Sequence, residues 1–477
     1  MKPIFEKEKQ FLEDKVKGLK LPTNCWRDGN SIYLNINKDT LILRFKVEHK
    51  KLIITKNNLE QVLKEHKNKT FTEEIKEYEP RLQDLEEESV KKTIECMKKY
   101  SDYQFRVSDS TGKDSALCHY IFRKACEKLN VSDYEIDFFN TSNDTADTYR
   151  QIKRNIRNTI KFQYKIKYKK DITKEELEIR YNEVLYKWVH NPKVGWHQWL
   201  KEVKHYYLPS VMVRNCCSTY KEGKLKEVLD KNKNYVMFLG MRKYESIKRQ
   251  NYDYYLNDRM EELYKETGLN KYKPNVPKNW VRFLPIVNWR DEEVWLYIMK
   301  NNIEINPMYY LGFNRVGCIL CPYSSDYNDL LIEHYYPYLW NNWCNIVEKN
   351  YELYNVENRL KWTKEEYIQE GKWKYSTSKL QEYITKNPTQ ERVKEVRNLL
   401  GVSEDIAKKY FKQTCSCGKK LNPDEVAMFL KLCGRYEGRV DNRKYLCKNC
   451  LCKQINLSKD EYNSKVREFR NQGCNLF

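Results

Sequence analysis

Between Phe105 and Leu117 the chain reads FRVSDSTGKDSAL, and this stretch limits the possible fold more than any other. Phe105 and Val107 alternate with polar neighbours, as in a short strand. The run breaks into Ser110, Thr111, Gly112, Lys113, Asp114 and Ser115. Beyond it Leu117, Tyr120, Ile121, Ala125 and Leu129 recur at helical steps. A strand, a tight loop of small residues and a helix N-terminus bring backbone N–H groups and the positive end of a dipole to one place. Such a place suits an anion, and Lys113 adds a full charge to it. The G-x-x-x-x-G-K-[ST] spacing of a Walker A loop is absent. A polar turn in which Ser115 is merely an N-cap accounts for the same residues.

The following segments extend the pattern. Tyr134–Phe139 reads as a second strand and ends in a polar loop, Asn140–Tyr149. Strand, helix, strand at this spacing implies a parallel βαβ unit with a right-handed crossover. Ligands of such sheets bind beyond the C-terminal strand ends, where both loops fall. The adjacent Cys216 and Cys217 precede the strand Tyr235–Leu239, which opens into Gly240, Arg242, Glu245 and Arg249. A glycine followed by arginines at a strand end again suits anions. A short strand from Val281 leads to an amphipathic helix with Val294, Trp295 and Ile298 on one side. Asn306–Tyr309 and Gly312–Gly317 then lead to Cys318 and Cys321. The fold expected is α/β, an open, mostly parallel sheet with helices on both faces, over residues 71–325.

Flanking regions differ in character. Residues 1–70 read as a small β-rich unit with strands at 31–36, 40–45 and 51–54. Residues 72–100 read as a helix with Leu82, Leu85, Val90, Ile94 and Met97 on one stripe. Residues 151–205 read as a basic helical insert, in which Lys153, Arg154, Arg157, Lys161 and Lys165 interleave with Phe162, Tyr164 and Tyr168. That mixture suits single-stranded nucleic acid, and equally a solvated face whose aromatic stripe packs inward. Residues 326–410 read as helical, and 411–477 as a Cys-rich module.

The chain has 477 residues and a formal net charge of +21, which admits acidic partners. A composition heavy in Lys, Asn, Ile and Tyr gives the same excess without any binding role. No stretch approaches the roughly 20 apolar residues of a membrane helix, and MKPIFEKEKQF has no secretory h-region. Sixteen cysteines, several in close pairs, point to metal or cluster ligation in a reducing compartment, and a cytoplasmic location is expected.

Together, six loops resemble the phosphoadenosine-phosphosulfate (PAPS) reductase family of the adenine nucleotide alpha-hydrolases. These are Ser110–Ser115, Asn140–Tyr149, Cys216–Lys221, Gly240–Arg249, Pro285–Trp295 and Gly317–Cys321, in the family's order. The resemblance implies an adenosine nucleotide whose phosphates lie on Ser110, Thr111, Gly112, Lys113, Asp114 and Ser115. It implies that Gly240, Arg242 and Arg249 meet the anionic group and that Glu245 orients an arginine. Lys113, Asp114, Arg242 and Arg249 would carry the chemistry. Thr111 stands at the loop's first glycine, and Asn140 and Ser142 replace an Asp and a Gly that would contact the adenosine side.

Cys216, Cys217, Cys318 and Cys321 match the thiolates that hold a [4Fe-4S] cluster in the assimilatory adenylylsulfate (APS) reductases, a set that zinc also accepts. The resemblance leaves two reactions. A reductase would take APS or PAPS and attack sulfur with a Glu-Cys-Gly cysteine, of which Cys474 is a distant echo. A sulfurtransferase, as in Dnd-type DNA phosphorothioation and tRNA thiolation, would take ATP and Mg2+ and release pyrophosphate. The retained Lys113 favours the second, with tRNA or DNA as candidate acceptor and a separate protein as sulfur donor or reductant. A nucleotide sensor without catalysis is a third reading. Cys415, Cys417, Cys447 and Cys450 could form a zinc knuckle, with Cys433 and Cys452 as competing ligands.

Overall fold

The structure, a computed structural model, describes residues 1–210, 215–246, 249–250, 252–256, 277, 279–354, 362–374, 404, 415, 417–419, 421–433 and 445–471. Expectations for Val211–Arg214, Cys474 and most of residues 375–414 lie outside the described residues.

The central sheet contains β6 (Gln104–Ser108), β7 (Glu135–Phe139), β8 (Val189–His190), β9 (Tyr235–Phe238) and β10 (Trp280–Phe283). All four pairings are parallel, in the order β10-β9-β6-β7-β8. From β6 the chain moves one way through α4 (Lys113–Leu129), β7, α5 (Ala146–Tyr168), α6 (Lys174–Trp188) and β8, then returns past β6 to β9 and β10. Right-handed crossovers in opposite directions cover opposite faces. The reversal makes a switch point between β6 and β9, and ligands of such sheets bind in the crevice beyond such a point.

Alternation along the strands agrees with this. Val236 and Phe238 join Phe105, Val107 and Phe122 of α4 in one hydrophobic cluster, while Tyr235 and Met237 pack with Leu225 and Leu229 in another. α3 (Phe71–Lys99), opened by a Thr70/Glu73 capping box, and the helix Asp291–Lys300 complete the first layer.

Residues 146–190 belong to this sheet's winding. α5 lays Ile152, Ile156 and Ile160 on Ile136 and Phe138, and β8 pairs with β7. Its aromatic residues largely face inward. Tyr164 is buried, Phe162 packs on the main cluster beneath Arg123, and Tyr168 alone of the three is exposed.

The second sheet is antiparallel in chain order: β1 (Lys2–Pro3), β2 (Trp26–Asp28), β3 (Ser31–Tyr33), β4 (Leu41–Glu48) and β5 (Lys51–Asn57). β1 and β2 are too short to show a sequence period. Glu8, on α1 (Glu6–Lys15), is fully buried. It accepts from Arg27 Nε at 2.6 Å and from Tyr327 at 3.3 Å, and pairs with Lys2. Arg27 also donates to the Gly312 carbonyl at 2.6 Å. These bonds fasten the N-terminal sheet to the segment that leads into Cys318, and a hydrophobic cluster joins it to Trp196, Tyr327, Trp343 and Trp373. Helices Asp326–Tyr335 and Pro337–Tyr354 follow. Among the described residues no helix is long and apolar enough to cross a membrane.

Candidate functional site

The sheet's winding brings three charged loops to the C-terminal strand ends. Lys113 and Asp114 open α4 directly after β6, Arg242 follows β9, and Asp291 begins the helix after β10. Their charges interlock. Lys113 Nζ lies 2.8 Å from Asp114 Oδ2 and 2.8 Å from Asp291 Oδ1. Arg242 donates from Nε to Asp114 at 2.6 Å and from Nη2 to Asp291 at 2.8 Å. The Met1 amino group adds a contact of 3.2 Å to Asp291. Burial works against charge on Lys113 and Arg242, but Asp114 and Asp291 outweigh it and hold both above their ordinary values. Burial likewise pushes the Asp291 carboxyl up. The surrounding positive groups, Lys113 first, overcome that and hold it well below the usual carboxylate range.

Close approach of β9 to α4 requires Gly240. A Cβ there would stand 2.6 Å from the Asp114 carbonyl oxygen and 2.8 Å from the Ser115 nitrogen. Beyond it Glu245 pairs with Arg249 and stands 4.0 Å from Arg242. Arg249 is partly buried, and desolvation draws its guanidinium below its ordinary value.

The loop amides differ from a bare cradle. Thr111 N–H donates to Asp109 at 2.7 Å and Lys113 N–H to the Tyr309 hydroxyl at 2.9 Å. Ser110 and Gly112 N–H make longer bonds, of 3.3 and 3.4 Å, to Ser115 and Ser110 hydroxyls. The long pair is weakly held and exchangeable, while the short pair fixes the loop's shape. Thr111 has φ +59° and Ser142 φ +52°, so both sit in the left-handed region that favours glycine. Asn140 bonds Ser142 and Tyr149 of its own loop and Asn191 just beyond β8.

The first set of cysteines gathers against that second loop. Cys318 Sγ lies 3.4 Å from Thr141 Oγ1, and Ile319 N–H donates to the Asn143 carbonyl at 2.8 Å. The Cys216 thiol is pushed far up, first by its hydrogen bond with Cys217, then by burial and the nearby sulfurs of Cys217, Cys318 and Cys321. Lys221 faces the same group and is held charged chiefly by Cys318. These four thiols are not among the groups drawn together at single-ion spacing.

A second set is tighter. The sulfurs of Cys415, Cys417, Cys447 and Cys450 all lie within 4.8 Å of one another, with Cys417 and Cys447 3.8 Å apart. Tetrahedral zinc–thiolate bonds of about 2.3 Å place sulfurs about 3.8 Å apart, so this set fits one such ion. Cys452 is buried and its sulfur faces the Ser458 carbonyl at 4.0 Å. The Cys433 side chain lies outside the description.

Asp291, Tyr309, Asn306 and Asp109 escaped the sequence reading. In the sequence Asp291 is one of three acids in a helix's first turn, where acids are ordinary. Its place immediately after a strand-end loop was the available signal.

Residues 104–324 match the phosphoadenosine phosphosulfate reductase domain model. That span is a PAPS reductase family domain. It takes in β6 to β10, both arginines and the first cysteine set, and leaves the N-terminal sheet and the tight cysteine set outside. An uncharacterized protein of Methanocaldococcus jannaschii is 28% identical over 283 residues, 58% of this chain and 57% of that protein. An adenosine 5′-phosphosulfate reductase of Bacillus cytotoxicus is 25% identical over 187 residues, 39% of this chain and 62% of that protein. The chain spans 32% to 57% of the length of the curated relatives it matches first. The crystal structure of a PAPS reductase from Candida auris, a phosphate complex, covers 47% of this chain and 87% of its own at 13% identity. Its TM-score of 0.27 is too low to weigh.

Proposed function

We propose that the PAPS reductase domain binds ATP across the β6–β9 crevice and drives sulfur transfer to an acceptor, releasing pyrophosphate. The observation that carries this reading is the pairing of Lys113 and Arg242 at the switch point, each charged and already bridged by carboxylates. Lys113 and Arg242 bind the β- and γ-phosphates, replacing part of their contact with Asp291, and Ser110 and Ser115 hydroxyls complete the cradle. Asp114 and Asp291 would hold Mg2+ against the phosphates. Arg249, turned by Glu245, stabilises charge at the α-phosphorus, where an acceptor oxygen attacks and pyrophosphate leaves. A sulfur nucleophile from a donor then displaces AMP.

Cys216, Cys217, Cys318 and Cys321, whose thiols lie close enough to act on one another, would hold a [4Fe-4S] cluster, which takes four thiolates. Bound there, the cluster would supply a sulfur-binding or electron-transfer centre, and Lys221 and the Thr141 hydroxyl would balance and orient its thiolates. Cys415, Cys417, Cys447 and Cys450 hold structural zinc. The module they build serves a nucleic-acid acceptor, tRNA or DNA. The retained charge pair speaks against a sensor without catalysis.

A second reading follows from names. Several relatives are adenosine 5′-phosphosulfate reductases, including those of Lysinibacillus sphaericus and Bacillus cytotoxicus. In that reading APS or PAPS occupies the crevice and sulfite is the product. One assay separates the two. Anaerobically purified protein given ATP with tRNA or DNA as acceptor, or APS with a thiol reductant, is analysed for pyrophosphate and sulfite. Pyrophosphate from ATP that Lys113→Ala abolishes supports sulfur transfer, whereas sulfite from APS without pyrophosphate from ATP replaces it with reduction.

A further inference from the structure

Asn306 is fully buried and ties together three segments far apart in sequence. Its Oδ1 accepts the Met308 N–H at 3.0 Å, which settles the way the amide faces. Nδ2 then donates to Thr111 Oγ1 at 3.1 Å and to Thr148 Oγ1 at 3.2 Å. Thr111 is the residue in the Lys113 loop with φ +59°, a conformation a β-branched side chain adopts only when its surroundings impose it. The same turn touches the loop again, where Tyr309 takes the Lys113 N–H. It also meets the start of α5, where Thr145 Oγ1 lies 3.1 Å from Met308 Sδ.

We infer that Asn306 is a positioning residue: through the Thr111 hydroxyl it holds the Lys113 loop in its phosphate-binding shape and couples it to the loop that faces Cys318. This rests on the reading of the Lys113 loop as a nucleotide site. A glycine at position 111 would adopt the turn freely, but could not be gripped. Threonine exchanges that freedom for a hydroxyl that Asn306 holds, and a buried bond lost here releases the loop as well as one contact. Since Thr148 shares the same Nδ2, movement of the Lys113 loop and of the α5 N-terminus are linked.

The test titrates ATP and inorganic pyrophosphate calorimetrically into the full chain and variants, with unfolding temperatures measured on the same samples. Thr111→Val keeps the side-chain shape and removes the acceptor. Asn306→Asp keeps the acceptor for Met308 and removes both donors, and Thr111→Ser keeps the hydroxyl. Thr111→Val and Asn306→Asp are expected to weaken both ligands about tenfold, as loss of one buried bond implies. The double variant is no weaker than the weaker single, and Thr111→Ser, which keeps the hydroxyl, binds both ligands more tightly than Thr111→Val. If Asn306→Asp does not fold, Thr111→Val against Thr111→Ser decides. Lower unfolding temperatures with unchanged affinities give a structural role only and overturn the inference. A wild-type chain that binds neither ligand overturns the nucleotide reading, and the inference with it.

Discussion

Lys113 Nζ and Asp291 Oδ1 stand 2.8 Å apart, so the loop lysine already meets an anion supplied by the chain itself. Phosphates entering the crevice compete with that carboxylate unless Mg2+ bridges them. Asp291→Asn is therefore expected to tighten pyrophosphate binding severalfold in Mg2+-free buffer, by about one unit of local charge. It also lowers stability by on the order of 1 kcal/mol, since the carboxylate is 36% exposed and partly screened. Titration calorimetry with chelator present, followed by denaturant unfolding, checks both. Weaker pyrophosphate binding would mean that Asp291 does not compete for the lysine.

Gly240→Ala tests the contact between β9 and α4. Its Cβ meets backbone atoms that cannot turn aside, 2.6 Å from the Asp114 carbonyl oxygen. A loss of about 1–3 kcal/mol is expected on denaturant unfolding, together with weaker ATP binding because Asp114 and Ser115 must shift. A change within a few tenths of a kcal/mol on unfolding would contradict the approach.

Much of the sheet was legible because its strands are short apolar runs, as in Tyr235–Phe238, each followed by loop residues of distinctive chemistry. β8 was not, since two residues carry no period. The β4–β5 turn carries no Asn-Gly signal: His49 and Lys50 take the positive φ values themselves, +45° and +58°. The charged groups of the candidate site were readable where local sequence places them, at Lys113 and Arg242. It was unreadable where distant segments complete it, at Asp291, Asn306 and Tyr309. α5 shows the limit of composition, because its basic residues share a helix with isoleucines that cover the sheet.

Asp329 gives the stability a pH dependence. Burial raises its carboxyl from 3.8 to about 6, against the pull of Lys374. Between those values the folded chain binds more protons than the unfolded one, so stability falls as pH rises through that window. The contribution is on the order of 2–3 kcal/mol, at 1.36 kcal/mol per unit. Asp329→Asn should flatten unfolding free energy across that range. A slope that survives the substitution would remove Asp329 as its source.

The two cysteine sets predict separable metals. Cys447→Ser should lose zinc and keep iron and acid-labile sulfide, while Cys318→Ser should do the reverse. Elemental analysis of anaerobic preparations checks this. Loss of both metals in either variant, or zinc alone in the unaltered chain, would contradict the assignment.

The central claim is that Lys113 and Arg242 receive a nucleotide's phosphates. Equilibrium binding of ATP to the unaltered chain, Lys113→Ala and Arg242→Ala measures it most directly. Each substitution should weaken ATP by about ten- to a hundredfold, as loss of a charged hydrogen bond implies, and leave adenosine binding unchanged. ATP affinity that survives both substitutions would contradict the account.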